Sequence, residues 1–121
     1  MKLIIAGSRT IPELSVGFIN RWCPPDVDEI VSGLAYGPDK DGVDFAHAMG
    51  MMLTTFEPDW KKFGKGAGFV RNEAMAAYAD SLLAFWDGKS HGTHHMITCM
   101  EKLGKPVKII VIKAVDSLEQ T

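Results

Sequence analysis

Apolar residues fall along this chain in two patterns, short unbroken runs and helically spaced stripes, and the two take turns. Leu3-Ile4-Ile5-Ala6 is a run without alternation, as expected of a strand covered on both faces. It leads into Gly7-Ser8-Arg9-Thr10, a ligand-facing loop by composition. Glycine permits close backbone approach, the hydroxyl and N–H groups can grip an anion, and arginine matches phosphate or carboxylate bidentately. Ile11 to Trp22 then reads as a helix starting near Pro12, with Leu14, Phe18 and Trp22 four apart and Ile19 beside them, stopped by Pro24-Pro25. Glu29-Ile30-Val31 is a second strand that empties into a glycine-bearing loop, Ser32 to Lys40. Phe45, Ala46 and Met49 stripe a second helix closed by Gly50, and Met51 to Phe56 is a third strand. An aromatic and basic loop, Pro58 to Gly68, precedes a helix from Phe69 to Ala79. Ser81 to Phe85 is the fourth strand, with the exit loop Trp86 to Thr93. A helix carrying Met96, Ile97, Met100 and Leu103 ends at Gly104, and Val107 to Ile112 is the fifth strand.

Regular alternation of strand and helix with short connections predicts an α/β fold: a three-layer sandwich with a five-stranded parallel sheet and helices on both faces. One domain over residues 1–113 is expected, with residues 114–121 a frayed or partner-docked tail. Every strand-to-helix loop of such a sheet emerges at one edge, where ligands bind. The loops beginning at Gly7, Ser32 and Trp86 are therefore expected to converge.

Composition narrows this picture. The 121 residues and 13.3 kDa suit one domain, and 46% hydrophobic residues suffice for one core. A net charge of −2 supplies no positive field for sequence-independent binding along nucleic acid. The cationic cluster Lys61, Lys62, Lys65 and Arg71 is local, and a solvated loop accounts for it equally. Cys23 and Cys99 lie far apart without a CxxC pair, which favours free thiols in a reducing compartment. The apolar run before Gly7 is too short for a secretion signal and no stretch approaches membrane-spanning length, so a soluble cytoplasmic protein without membrane partners is expected.

Several local patterns carry candidate chemistry. Gly88-Lys89-Ser90 sits between a strand and a helix, but a Walker A loop needs a glycine where Leu83 stands; Gly64, Gly66 and Gly68 do not make a GxGxxG. What remains at Gly88 to Thr93 is a glycine- and hydroxyl-bearing junction with free helix N–H groups, a phosphate site by its physics; Ser90 or Thr93 acting merely as a helix cap is the plainer alternative. His91 and His95, four apart with His94 adjoining, raise a metal site, but such a pair needs a third ligand and, for hydrolysis, a base; no HExxH glutamate is present, and no metal or cofactor is expected. His47 reads as structural or exposed. Trp60 and Trp86 occupy loops at the ligand edge, where a flat ring can stack on a base or simply anchor its loop. Arg71-Asn72, opening a helix, can aim a guanidinium and an amide at phosphate or ribose, opposite Arg9.

Taken together, Ala6-Gly7-Ser8-Arg9, Ser32-Gly33-Leu34-Ala35-Tyr36-Gly37-Pro38-Asp39, Arg71-Asn72 with Met75, and Phe85 to Thr93 with Met96-Ile97 resemble the SLOG superfamily. This Rossmann-like group includes the LOG nucleotide phosphoribohydrolases and the Rossmann domain of the DNA-processing protein DprA, and the chain is most similar to small stand-alone YspA/YpsA-related members. Leu34 and Tyr36 stand where those members usually carry a glycine and an arginine. Pro38 and Lys40 to Gly42 depart from the pattern, so Asp44 competes with Asp39 as the counterpart of the family aspartate. Where LOG enzymes carry a catalytic glutamate, three residues after the threonine, this chain has Met96, which moves no proton; Asp87, Asp39 and Glu73 are the possible substitutes, and no catalytic residue is assigned. The resemblance implies a Rossmann-like fold and a nucleotide or nucleotide derivative held by Gly7, Ser8, Arg9, Thr10, Ser32, Gly33, Gly37, Asp39, Arg71, Asn72, Trp86, Asp87, Gly88, Ser90, Gly92 and Thr93. Within that set Trp86 is expected to stack on the base and Asp87 to accept from a ribose hydroxyl. Sensing or sequestering a nucleotide is the leading expectation. The alternatives are LOG-like N-glycosidic cleavage and DprA-like binding of single-stranded DNA, for which Trp60 to Lys65 is the direct support. The resemblance also implies a homodimer paired through helices flanking the site, with Met49, Met51, Met52 and the stretch Met96 to Met100 as possible interface or core.

Overall fold

The computed structural model describes residues 1–114; most of the expected tail, from residue 115 on, lies outside the described residues. Five strands, β1 (Lys2–Gly7), β2 (Glu29–Ser32), β3 (Met52–Thr55), β4 (Ser81–Trp86) and β5 (Val107–Val111), form one parallel sheet in the order β3-β2-β1-β4-β5. The helices are α1 (Val16–Trp22), α2 (Pro38–Met49), a short α3 (Trp60–Phe63) running through a 3₁₀ turn at Gly64–Gly66 into α4 (Ala67–Tyr78), and α5 (His91–Lys102).

Two cores flank the sheet. Leu3, Ile5, Ile30, Leu83 and Phe85 point to one face and pack with Ile19 of α1 and Phe45 and Ala46 of α2. Ile4, Ala6, Val31, Leu82 and Ala84 point to the other and pack with Met75 and Ala76 of α4 and Met96, Ile97 and Met100 of α5. The protein is thus a Rossmann-like three-layer α/β sandwich, and the unbroken apolar runs are its central strands because both faces are covered. Chain progression moves outward from β1 to β2 and β3, then returns to β4 on the other side of β1, so the order reverses between β1 and β4.

The elements differ from the sequence expectations at three places. The first helix begins at Val16, not near Pro12: Ser15 caps it by accepting from the Phe18 N–H at 3.1 Å, while the Leu14 N–H donates to the Asp41 carboxylate at 3.0 Å. A contact 27 residues away holds residues 11–15 out of the helix. Within the expected basic loop, Asp59 caps α3 by accepting from the Lys62 N–H, and α4 starts two residues earlier than its apolar stripe suggests. The methionines divide as well. Met96 and Met100 belong to the core because α5 covers β4, whereas Met49 and Met52 are exposed at the β3 edge.

α4 ends on Ala79 without a glycine, and Lys105 finishes it from outside. Its ammonium donates to the carbonyls of Ala76 (2.7 Å), Ala77 (3.2 Å) and Ala79 (2.7 Å), a cation on the negative end of the helix. Lys105→Met keeps the apolar stem but strands those carbonyls, and is expected to lower unfolding stability by about 2 kcal/mol. Urea denaturation measures it; an unchanged midpoint would show that the lysine holds nothing.

Candidate functional site

The loops leaving β1, β2 and β4, with the β3–α3 connection, enclose a cleft of about 990 Å³ at the carboxyl edge of the sheet. Its position follows from the strand order, since the β1 and β4 loops diverge to opposite faces where the order reverses.

The two central loops are tied together first. The Ser8 N–H donates to the Phe85 carbonyl at 3.0 Å, and its buried hydroxyl accepts from the Asp87 N–H at 3.0 Å. Gly7 sits inside this junction. A Cβ there would lie 2.2 Å from the Phe85 carbonyl oxygen and within 3 Å of the Pro38 ring, so the close approach Gly7 permits is that of β4 and α2. Asp87 clamps the β4 exit. Its Oδ1 accepts from the N–H groups of Lys89 and Ser90, and its Oδ2 from the hydroxyls of Thr10 (2.6 Å) and Ser90 (2.8 Å). Burial raises the Asp87 pKa, but the four hydrogen bonds outweigh it and hold the carboxyl well below the usual range.

Because the Ser90 hydroxyl is turned to Asp87, no side chain caps α5. The N–H groups of its first turn carry the positive end of the helix dipole, and Ser90, His91, Gly92 and Thr93 line the cleft. Arg9 and Lys65 add cationic side chains, and among the described residues neither makes an ion pair. Ala6, Met75 and Met96 supply apolar lining. Tyr36 (76% exposed) and Trp60 (60% exposed) present aromatic rings, with Phe69 alongside.

The β2 side is built around a buried carboxyl. Asp39, 5% exposed in the first turn of α2, has its pKa pushed up to about 6 by burial, while Arg71 and the N–H groups of Ala35, Gly7 and Gly33 pull it back. The Arg71 guanidinium lies over Gly33, where a Cβ would come within 2.6 Å of Nη1, and donates to the Gly33 carbonyl. Burial lowers the Arg71 pKa and Asp39 opposes this. Next in the β2 loop, Leu34 takes a left-handed backbone (φ 61°), a conformation costing a branched side chain roughly 1 kcal/mol, and it too lines the cleft.

Of the residues singled out from sequence, Gly7, Ser8, Arg9, Thr10, Gly33, Asp39, Arg71, Asn72, Ser90, Gly92 and Thr93 line this cleft, and Ser32, Gly37, Trp86, Asp87 and Gly88 do not. Ser32 stands behind the wall, its hydroxyl donating to the Asp39 carbonyl at 2.9 Å. Gly37 (φ 81°) precedes α2, and Gly88 (φ 82°) makes the outer turn. Trp86 anchors its loop instead of facing the cleft: its indole N–H donates to the Ser90 carbonyl and its ring packs on the α4/α5 core. Asp87 already accepts four hydrogen bonds, one for each of its lone pairs, and has none left for a ribose hydroxyl. Asp44 is exposed and outside the lining, whereas Asp39 lines the cleft. Tyr36, Glu57 and Phe69 belong to the lining without having been chosen as ligand contacts, and Lys65, which the sequence offered only within the basic cluster and for single-stranded DNA, lines it too. Their sequence signal was only an aromatic or charged residue in or beside a loop at the ligand edge.

Both cysteines are free thiols. Among the described residues no cluster of three or more histidine, cysteine or acidic side chains could hold a metal ion, and no helix is long and apolar enough to cross a membrane.

Fold and cleft define a Rossmann-like α/β protein with an open, cation-bearing pocket at the topological switch point. The chain is 36% identical over 81 residues to the Gene 61 protein of Mycobacterium phage D29, a match covering 66% of this chain and 60% of that protein. No protein-family profile and no solved structure match the chain.

Proposed function

We propose that the cleft binds a nucleotide or nucleotide-derived small molecule and that the protein acts as a sensor or sequestering module. The observation that supports this most is the uncapped amino terminus of α5 opening onto a cleft that also carries Arg9, Lys65, Trp60 and Tyr36. Peptide N–H groups at a helix start suit a phosphate, the cations add charge, and an exposed ring offers a base a stacking surface. Of the two tryptophans the sequence offered for stacking, Trp60 takes the role that the resemblance gave to Trp86. The left-handed Leu34 stands where the SLOG pattern has glycine, which fits a loop whose shape is kept although its residue has changed.

A thermal-shift screen of nucleotides with mass spectrometry tests the reading. A stabilising ligand recovered intact is expected, and Arg9→Ala should weaken it about tenfold through loss of a charge-assisted contact. If no nucleotide stabilises the protein, the proposal fails.

Asp39 is the observation that favours a second reading, N-glycosidic cleavage. Met96 leaves the LOG glutamate position without a carboxyl and Asp87 lies outside the lining, but Asp39 lines the cleft with a pKa near that of a general acid at neutral pH. Free base released by the wild type and not by Asp39→Asn would establish it. Single-stranded DNA binding rests on Trp60 and Lys65 alone, and a homodimer rests on the family resemblance with Met49 and Met52 as exposed candidates.

A further inference from the structure

A continuous set of hydrogen bonds crosses beneath the cleft from the β2 loop to α5. The Arg71 Nε donates to the Asn72 Oδ1 at 2.9 Å, and the Asn72 amide nitrogen lies 3.3 Å from the Gly92 carbonyl and 3.2 Å from the His95 Nδ1. Asn72 is 7% exposed, so its amide has little water to turn to. Arginine has only donors, which fixes the Asn72 oxygen toward Arg71 and its NH₂ toward α5. One amide hydrogen serves the Gly92 carbonyl and the other meets His95 Nδ1, which must then be an acceptor. The imidazole is therefore neutral with its proton on Nε2, the nitrogen facing the Cys99 sulfur at 3.5 Å.

We infer that Asn72 and neutral His95 are positioning residues for the anion end of the cleft, holding the amino terminus of α5 through Gly92 only while His95 Nδ1 is unprotonated. For its functional consequence the inference rests on the cleft binding an anionic ligand; the hydrogen-bond relay itself does not. An imidazolium would turn an N–H against the Asn72 N–H, and the amide could not invert without opposing Arg71. His95 is stacked on Phe69 of α4 with ring centroids 4.2 Å apart. The groups that act on it are Glu73 of α4, favouring the charged form, and Lys102 and His94 of α5, disfavouring it, with the Cys99 thiol at its other nitrogen. Burial is the largest influence and lowers the His95 pKa. The relay is accordingly intact above the folded pKa and is lost as pH falls through it.

Nuclear magnetic resonance of uniformly ¹⁵N-labelled protein, followed from neutral to acidic pH with AMP titrations at each step, tests the inference. Expected are the Nε2–H tautomer at neutral pH, Gly92 and Thr93 backbone amide signals that shift with the His95 midpoint, and AMP affinity falling about tenfold across that midpoint. In His95→Asn the side-chain oxygen takes the place of Nδ1 and does not titrate, so the step in affinity should shrink to the part that Asp39 and the AMP phosphate, which also titrate near pH 6, contribute. An Nδ1–H tautomer, amide signals indifferent to His95, or a step of unchanged size in His95→Asn would overturn the inference. Were AMP and other nucleotides not to bind at all, the nucleotide reading would fail, while the tautomer and the Gly92 and Thr93 shifts would still decide the relay.

Discussion

Gly7→Ala is expected to destabilise the protein by about 3 kcal/mol or more, because the added methyl has nowhere to go. Its Cβ would lie 2.2 Å from the Phe85 carbonyl oxygen and 2.7 and 2.9 Å from Pro38 ring carbons. A flexible side chain would move aside, but here the obstacles are a backbone carbonyl and a rigid ring. The carbonyl also accepts from the Ser8 N–H, and Ser8 in turn receives the Asp87 N–H, so relieving the clash means prising β1 from β4 at the switch point. Ligand binding should fall with stability, since these loops are the cleft. Gly17, in α1 with nothing within 4 Å of a Cβ, is the control: Gly17→Ala should stabilise by roughly 0.5–1 kcal/mol through helix propensity alone. Urea unfolding of both variants decides; Gly7→Ala unfolding near the wild-type midpoint would refute the packing claim.

Acidification from pH 7 to pH 5 is expected to stabilise the ligand-free protein through Asp39. Its folded pKa of about 6 exceeds the ordinary 3.8, so the folded state binds a proton more readily than the unfolded chain. The stabilisation from protonating it is full below about pH 4 and is lost as pH rises through 6. A difference of about two units corresponds to an effect on the order of 3 kcal/mol over the whole range, of which about one unit, roughly 1.4 kcal/mol, falls between pH 7 and pH 5. Asp41, also raised chiefly by burial, acts in the same sense. Asp87 acts oppositely, but its stabilisation is lost only as pH falls below the ordinary carboxylate value of 3.8 toward its depressed one, outside this window. His95 also opposes the trend, so the comparison is cleanest in the His95→Asn background, with and without Asp39→Asn. Melting temperature should rise toward pH 5 with Asp39 present and rise much less with asparagine. A melting temperature that is flat or falls with Asp39 in place would mean that its carboxyl is not desolvated as the structure shows. A negative charge kept buried beside the cleft is a cost to stability, and the three N–H groups it gathers indicate what it maintains: the shape of the β1 and β2 loops.

Leu3 to Ala6 and Ser81 to Phe85 declared themselves as central strands because a run apolar on successive residues suits only a strand covered on both sides. The same local pattern predicted alternation of strand and helix, the parallel sheet and a binding edge where glycine, hydroxyl and cationic residues gather. Individual roles were less legible. Asp87 looked like a free ribose acceptor, and its partners Thr10 and Ser90 were in plain view, but only the juxtaposition of β1 and β4 brings Thr10 across 77 residues to its carboxylate. Trp60 and Trp86 were equivalent as loop tryptophans until α3 placed one on the cleft and the α4/α5 core claimed the other. Pro12 was a sound helix start by local preference, overridden by the Asp41 carboxylate. The Asn72–His95 contact left no trace in the sequence, because its logic requires Arg71 on one side of the amide and α5 on the other. Periodicity acts between neighbours a few residues apart, so the chain alone determined the strands, the layers and the chemical character of the edge. Which carboxyl is buried, which ring is free and which amide is locked depend on strand order and helix packing, and these the tertiary structure decided.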